Sequence, residues 1–453
     1  MNFNTAEFLL LFLPVQVILF YVVRPRFRLF ILLLGSIFFY GMSSDIAGFL
    51  LVNTILWAGG IGYISSKMIH NSGWLTLAIF PPFLLLFLFK YLDFTLTAVD
   101  PNDQLRSSFQ FILKYALPAG ISFYTFQIAS YLIDVHDGKV EREKNPLVFA
   151  VFAAFFPQLI AGPILRFHEL RDQLRFIAAE RNLRPDFPRA FKFISVGLAY
   201  KIFLADVLRR FQETHDVSAG GGSLDAAYAV LAYSFIIYFD FWAYSLMAIG
   251  LAKLFCIELP RNFLEPYKST SPREFWRRWH VTLSFWLRDY VYLKIGGNTA
   301  YIRNIAIVFL ACGLWHGAGW NFLIWGGYHA LLVIAHHLAR EPWGRLPGFV
   351  QITITFMFVS LGWPLFYNGI EEYGALISVL FAFQAPTDTA QFGYGDWLYL
   401  AIPALIVFAT REDRWLFNEN YNRFLDSPLF HAGLTGLSLM FLNFGRTFIY
   451  FQF

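Results

Sequence analysis

The sequence predicts an all-helical protein that crosses a membrane many times and forms a single domain over residues 1–453. Hydrophobic residues make up 57% of the chain and charged residues only 15%, and the mean hydropathy is +0.51. These values lie outside the usual range of soluble globular domains. Apolar runs that could each make one crossing, which takes about 20 residues, recur along the chain.

The first half of the chain predicts an extracytoplasmic N-terminus and no cleaved signal peptide. Candidate spans lie near residues 6–23, 27–41, 46–64, 74–92 and 115–133. Arg24, Arg26 and Arg28 follow the first of these spans, whereas Asp93 and Asp100 follow the fourth. Lysine and arginine accumulate in cytoplasmic loops, so the loop after the first span is predicted to be cytoplasmic.

The next apolar run, from Pro146 to Ile164, is predicted to be a re-entrant or broken segment that forms a wall of the site. It contains Phe-Phe-Pro-Gln-Leu-Ile-Ala-Gly-Pro from Phe155 to Pro163. Proline removes a backbone donor and glycine weakens a helix. Irregular backbone at membrane depth is tolerated only inside protein or against a cavity. An ordinary span with a proline kink is the alternative.

The second half completes about 11 or 12 predicted crossings, with the C-terminus also extracytoplasmic. The remaining candidate spans lie near residues 191–211, 224–255, 303–319, 321–338, 349–369, 397–409 and 430–444. The segment that begins at Pro272 is instead amphipathic, as in an interfacial helix.

The net charge is +4, but the basic residues are dispersed between apolar segments, so nucleic acid is not an expected partner.

Residues from about 272 to 329 form the predicted catalytic stretch, where histidines and charges are concentrated. His316 stands in Gly-Leu-Trp-His-Gly (Gly313–Gly317), and His280 follows Trp-Arg-Arg-Trp (Trp276–Trp279). Ionisable residues within apolar segments are functional candidates by default. Histidine suits a general base because its proton affinity lies near physiological pH. We predict that His316 is the base and that the glycines let a substrate approach it. A histidine hydrogen-bonded between helices remains the alternative.

Other polar and aromatic residues are predicted to bind substrate. Arg277 and Arg278 could attract the phosphates of an acyl donor, although arginine and tryptophan are also ordinary interfacial anchors. Asp240 is expected to form a structural pair with an arginine of the catalytic stretch. No histidine pattern predicts a metal site. The predicted substrate-binding residues are Trp276, Arg277, Arg278, Trp279, Asp289, Trp315, Asn321, Gln158 and Tyr124.

These motifs resemble the membrane-bound O-acyltransferase family, in particular its bacterial branch of alginate-acetylating and teichoic-acid D-alanylating members. The resemblance covers nearly the whole chain. It lies in the segments Gly120–Gln127, Phe156–Pro163, Tyr238–Asp240, Leu259–Phe263, Phe275–Tyr290, Gly313–Gly317 and Phe448–Phe453. It implies that His316 is the catalytic histidine and His280 the second active-site histidine, within helices that surround a central funnel and tunnel.

The resemblance further implies acyl transfer, most often of acetyl, across the bacterial inner membrane. The donor would be a cytoplasmic thioester, acetyl-CoA or an acyl carrier, and no cofactor would be bound. The acceptor would be a cell-envelope polysaccharide, reached with an extracytoplasmic partner protein. Phe241-Trp-Ala-Tyr-Ser-Leu246 departs from the alginate-type pattern, which has an acid at its end. D-alanyl transfer, a transporter and a scaffold without acyltransferase chemistry are the alternatives.

Overall fold

The computed structural model describes a helical chain, and the described residues contain no β-strand. The description covers residues 2–42, 46–64, 72–100, 104–115, 117–160, 162–215, 221–385, 394–418, 422, 424–442, 445–446 and 448–449. The last four residues of the C-terminal motif named above, 450–453, lie outside these ranges.

The helices follow one another along the whole chain. The first twelve are α1 (Leu13–Val22), α2 (Arg28–Gly41), α3 (Ala47–Ile64), α4 (Ser72–Leu86), α5 (Leu92–Val99), α6 (Gln104–Ser108), α7 (Gln110–Leu113), α8 (Ile121–His136), α9 (Pro146–Ala154), α10 (Phe156–Leu159), α11 (Phe167–Ala179) and α12 (Phe187–Ala199). The others are α13 (Val207–Thr214), α14 (Ser223–Lys253), α15 (Pro272–Arg278), α16 (Val281–Leu287), α17 (Tyr301–His316), α18 (Trp320–Leu338), α19 (Arg340–Gly344), α20 (Gly348–Gly362), α21 (Ile370–Ala382), α22 (Tyr394–Ala409), α23 (Glu412–Phe417) and α24 (Pro428–Met440).

Four short π-helical segments join some of these helices into longer rods. They span Glu7–Phe12 before α1, Phe87–Tyr91 between α4 and α5, Tyr200–Asp206 between α12 and α13, and Arg288–Tyr292 after α16. Single π-helical turns inside helices often occur at functional sites. The segment at Tyr200–Asp206 contains a buried lysine, described below.

Several helices have the length and apolar composition to cross a membrane. Among the residues that the structure describes, four long ones span Gly73–Val99, Ser223–Lys253, Gly297–His316 and Gly348–Phe366. Shorter apolar helices span Glu7–Val22, Gly48–Trp57 and Gly395–Ala409. These helices confirm a multi-pass, all-helical membrane protein. The count of 11 or 12 crossings and the orientation of the termini stay predictions.

The chain divides into two compact units, and each packs around its own core. The first contains residues 1–194 and 244–260, and the second contains residues 195–243 and 261–453. Helices α12 and α14 contribute residues to both units. The single domain expected from the sequence stays a prediction.

The first unit contains the predicted break in the helix. Helix α9 ends at Ala154, and the next residue, Phe155, has a ψ of 107° that interrupts the helical path before the one-turn helix α10. Pro157 and Gln158 are both inside α10, and Gln158 is buried. The interrupted backbone therefore agrees with the sequence pattern, whereas its depth in the membrane and its role as a wall of the site stay predictions.

The second unit contains a buried ionic cluster that corrects one expectation. Asp240 pairs with Lys201 at 2.7 Å and not with an arginine of the catalytic stretch. Lys201 Nζ also lies 2.7 Å from an Asp206 carboxylate oxygen, and all three side chains are buried. The lysine offsets part of the negative charge of these two buried carboxylates, which isolated carboxylates could not tolerate. The sequence did not indicate Lys201, because it lies 39 residues before its partner.

Candidate active site

Helix α15 begins at a well-formed N-terminal cap. The Ser271 hydroxyl accepts a hydrogen bond from the backbone N–H of Glu274 at 3.2 Å. The Glu274 carboxylate accepts from the Thr270 backbone N–H and hydroxyl and pairs with Arg278 at 2.6 Å, one turn later. Side-chain caps of this kind satisfy N–H groups that have no partner within the helix. The beginning of the catalytic stretch is thus fixed by local interactions.

His280 lies in the sharp junction between α15 and α16. Its backbone adopts the left-handed conformation, with φ 42° and ψ 56°, which is uncommon for residues other than glycine. The flanking chain is held to Asn262, whose backbone carbonyl accepts from the Val281 N–H and whose side chain accepts from the Thr282 hydroxyl. Strained conformations persist where the surroundings enforce them, and they cluster at functional sites.

The His280 imidazole is buried among aromatic rings. It contacts Phe241 at a centroid distance of 4.7 Å and Trp315 at 5.8 Å, both edge-on. Burial lowers the pKa of the His280 imidazole to about 3, because an imidazolium would lose its hydration there. Burial therefore favours the neutral form of His280, whose role at the site stays a prediction.

His316 is the last residue of α17 and is also buried. Its ring lies 4.9 Å from that of Trp315, 5.1 Å from Trp325 and 5.0 Å from Phe366, again edge-on. A neutral imidazole has one N–H donor and one acceptor nitrogen. In a pocket walled by aromatic rings, the acceptor nitrogen can take a proton from a hydroxyl group without competition from bulk water.

The glycines around His316 bring α17 and α18 close together. A Cβ at Gly313 would collide with the backbone carbonyl of Phe322, and one at Gly326 would collide with that of Phe309. A Cβ at Gly317 would collide with the Phe322 ring. This differs from the prediction that these glycines leave space for substrate, because protein atoms already fill that space. Their physical role is close helix packing, as small residues permit between membrane helices.

The other predicted residues of the second unit have several different roles. Trp276 contacts Trp325 and Trp315 contacts both predicted catalytic histidines, so these two rings belong to the site cluster. Trp279 is buried in the aromatic core and contacts Phe275, Tyr267 and Trp363. The Asn321 side chain donates to the Leu365 carbonyl at 2.8 Å. The structure thus gives Trp279 and Asn321 packing roles, and substrate binding by them stays a prediction.

The charged residues predicted to bind substrate differ in whether they form an ion pair. Arg278 pairs with Glu274, and Asp289 pairs with its neighbour Arg288 at 2.6 Å. Arg277 is exposed, and it has no ion pair within the described part of the chain. A phosphate therefore finds an uncompensated guanidinium at Arg277, whereas it would have to compete with a carboxylate at Arg278.

Tyr124 and Gln158 belong to the first unit, whereas both predicted catalytic histidines belong to the second. Each is buried. Gln158 donates to the Phe152 carbonyl at 2.8 Å, while its side-chain oxygen has no hydrogen-bond partner in the described protein. The Tyr124 ring contacts Tyr40 edge-on at 6.1 Å. Substrate contact by these two residues stays a prediction.

His329 is a further histidine of this cluster that was not among the predicted site residues. It is buried on α18 and lies 4.8 Å from Trp325, the same ring that contacts His316. It is four residues from Trp325, so the two lie on one face of the helix. This spacing was visible in the sequence, but only the packing of α17 against α18 places His316 beside the same ring. Within the described ranges, no group of three or more His, Cys, Asp and Glu side chains could hold a metal ion.

Comparisons with known proteins cover most of the chain. The model of the membrane-bound O-acyltransferase family matches residues 72–355. A probable alginate O-acetylase AlgI of Pseudomonas aeruginosa is 38% identical over 381 residues, covering 81% of this chain and 72% of that protein. A peptidoglycan O-acetyltransferase of Helicobacter pylori is 34% identical over 409 residues, covering 80% and 76%.

A teichoic acid D-alanyltransferase of Bacillus subtilis is less similar. It is 27% identical over 332 residues, which cover 67% of this chain and 80% of that protein. Both predicted catalytic histidines fall within the residues that the family model matches.

Proposed function

The chain belongs to the membrane-bound O-acyltransferase family and is an O-acyltransferase, and from this premise we propose that it O-acetylates a cell-envelope polysaccharide. The acetyl group would come from a cytoplasmic thioester, acetyl-CoA or an acyl carrier. Its acceptor would be a hydroxyl of an alginate-like polymer, or a hydroxyl of an extracytoplasmic partner protein that passes the group on to the polymer. The similarity to a probable alginate O-acetylase supports this choice over D-alanyl transfer, since the D-alanyltransferase relative is less identical.

One observation supports the chemistry above all others. His280 and His316, which are 36 positions apart in the sequence, contact the same indole ring in a buried aromatic pocket. His316 is at the end of a helix long enough to cross a membrane. A reactive imidazole at such a place is costly to bury, and a role in acyl transfer accounts for it.

The proposed reaction is a direct transfer with His316 as general base. The imidazole nitrogen takes the hydroxyl proton of the acceptor while the hydroxyl oxygen attacks the thioester carbonyl carbon. The carbon–oxygen bond of the ester forms, the carbon–sulfur bond breaks, and the departing thiolate takes up a proton. The general-base contribution is typically about 10²- to 10⁴-fold in rate.

His280 is proposed to support this reaction as a neutral group. Burial lowers its pKa, which favours the neutral imidazole. Its ring contacts Trp315, the indole that His316 also contacts, so it is placed to support that side of the site. Arg277, the exposed guanidinium at the end of α15, is the proposed contact for a donor phosphate.

The cellular setting follows from the same proposal. The protein spans a lipid bilayer many times. We place it in the inner membrane of a bacterium, with both termini extracytoplasmic, so that a cytoplasmic donor and an extracytoplasmic acceptor meet at one site. An extracytoplasmic partner protein would complete the transfer to the polymer. The chain itself is not expected to hold a cofactor.

Mass spectrometry of ester-linked acyl groups on surface polysaccharides tests this function. Cells with the wild-type chain, with His316→Ala and with a deletion are compared. Loss of one acyl ester from both mutants is expected, and its mass identifies the acyl group. An ester retained in His316→Ala at wild-type level would contradict the catalytic role. A transporter would instead move solute across vesicles that contain no thioester.

A further inference from the structure

His329 has an environment unlike that of an ordinary packed histidine. Its side chain is completely buried, and its ring contacts Trp325 at 4.8 Å, Trp276 at 4.9 Å and Trp363 at 5.9 Å. Gly362 faces its Nε2 atom so closely that an added Cβ would lie 2.9 Å from it. The imidazole is thus enclosed by three indoles and a glycine backbone.

The hydrogen-bonding groups of this enclosure are not satisfied by protein. Within the described residues, neither ring nitrogen of His329 has a hydrogen-bond partner. The same holds for the indole N–H groups of Trp276 and Trp325, the two rings nearest to it. Buried polar groups are normally paired, so a group of unpaired ones needs an explanation. Three of these four atoms can donate when the imidazole is protonated at one nitrogen only.

A cluster of N–H donors in an apolar enclosure fits a ligand with an acceptor oxygen. The two indole N–H groups donate and do not ligate, so these four atoms together do not form a set of metal ligands. A free anion is also disfavoured, since the enclosure is built of aromatic rings and no cation contacts His329 among the described residues. A neutral carbonyl oxygen satisfies donors without bringing a charge into the pocket.

We propose that His329 is a further substrate-binding residue, which donates a hydrogen bond to the carbonyl oxygen of the acyl thioester. The indoles of Trp276 and Trp325 complete this carbonyl-binding pocket. Trp325 links it to the predicted catalytic centre, because its ring contacts both His329 and His316. This inference rests on the proposed acyl-transfer function. It adds that His329, Trp276 and Trp325 bind the carbonyl group of the acyl donor.

Two coenzyme A thioethers test the inference without requiring turnover. The acetonyl thioether keeps a carbonyl group and cannot be cleaved as a thioester, whereas the propyl thioether has a methylene at that position. Dissociation constants of both are measured for the purified full-length protein in detergent. The wild-type protein is expected to bind the acetonyl compound about tenfold more tightly, as one additional hydrogen bond in an apolar site allows.

Variants locate this preference at His329. His329→Leu and His329→Phe should bind both thioethers equally, and His329→Gln, which keeps N–H donors, should retain part of the preference. His337→Leu is the matched control, because His337 lies on the same helix but packs against Tyr301 at 4.3 Å. It should keep the whole preference.

Each outcome bears on the inference. It is overturned if the wild-type protein binds both thioethers equally, or if His329→Leu and His329→Phe keep the preference. It is also overturned if neither apolar variant folds, since His329 would then be a structural residue with partners of its own. If deletion of the chain removes no acyl ester from the surface polysaccharides, the proposed function is rejected instead. The binding comparison stands apart from that result because it does not depend on turnover.

Discussion

His280 and His316 contact the same indole ring, that of Trp315, at centroid distances of 5.8 and 4.9 Å. The first histidine lies in a strained junction between short helices, and the second ends a long one. Trp315, the sequence neighbour of His316, is thus the ring that both imidazoles contact. The two histidines have different proposed roles, since only His316 is proposed to accept the proton.

His316→Ala should lower acyl transfer by at least about 10²-fold, the usual minimum contribution of a general base. The alanine leaves a small cavity among Trp315, Trp325 and Phe366. Detergent melting temperature and transfer of radiolabelled acetyl in vesicles are the two measurements. A parallel loss of folded protein and activity would make His316 a structural residue.

His280→Asn and His280→Val should have different effects, because the position has a positive φ of 42°. Asparagine tolerates the left-handed conformation, whereas a β-branched residue there is strained. We expect the valine variant to lose roughly 1–2 kcal/mol more stability than the asparagine variant. Urea or thermal unfolding in detergent measures this difference. Equal stabilities would show that the junction relaxes around the substituted residue.

Gly326→Ala should destabilise the protein, whereas Gly327→Ala should not. A Cβ at Gly326 would collide with the Phe309 carbonyl, but one at Gly327 meets nothing within 4 Å. Overpacking typically costs about 1–3 kcal/mol, while an alanine at an open helical position stabilises by roughly 0.5–1 kcal/mol. The two melting temperatures should therefore move in opposite directions. A melting temperature for Gly326→Ala equal to the wild-type value would contradict the close packing of α17 on α18.

Lys201→Met should unfold or strongly destabilise the second unit, by about 3–5 kcal/mol, because it leaves Asp206 and Asp240 buried without their cation. It should also release the C-terminal segment. The backbone N–H groups of Arg446 and Ile449 donate to these same carboxylates. Protease sensitivity of a C-terminal tag reports the release.

Arg446→Met is the control for this variant, since it removes the exposed ion pair with Glu213 and keeps the backbone N–H that donates to Asp206. Exposed pairs contribute about 0–1 kcal/mol, so its melting temperature should stay near the wild-type value. If both variants had equal effects, the ionic cluster would not be what stabilises this region.

Stability should fall between pH 5 and pH 8 through Glu412. Burial raises the pKa of the Glu412 carboxyl from 4.5 to about 7, and hydrogen bonds from Tyr200 and Tyr238 oppose part of this rise. A folded-state pKa above the unfolded value means that the folded protein holds the proton more tightly. The resulting stabilisation is complete below pH 4.5 and is lost as the pH rises through 7.

The expected size of this pH effect is about 3 kcal/mol at most, from the difference between the two pKa values. Glu412→Gln cannot titrate and should remove this part of the pH dependence. Melting temperatures of both proteins across the pH range measure it. An unchanged pH profile in the variant would show that other groups cause the dependence.

The fold class could be predicted from composition, because every segment that crosses a bilayer must be apolar and must satisfy its own backbone hydrogen bonds. The apolar runs predicted helices, and the prolines and glycine of residues 155–163 predicted the break that occurs at Phe155. Local sequence determines such features, since backbone hydrogen bonds and proline geometry act over a few residues.

The roles of the glycines and of Asp240 could not be read in the same way. The glycines near His316 suggested room for a substrate, and the structure shows Phe322 in that place. Asp240 suggested an arginine partner and pairs with Lys201. Both depend on which helices pack side by side, and a linear pattern does not contain that information.

The sequence by itself determined that this protein is a helical membrane O-acyltransferase and that His280 and His316 are the histidines to examine, because motif residues and hydropathy are local properties. Only the tertiary structure decided that the two histidines share Trp315 and that His329 joins them through Trp325. Contacts between side chains on different helices depend on how the helices are oriented and how closely they approach. Packing fixes both, and the order of residues along the chain does not.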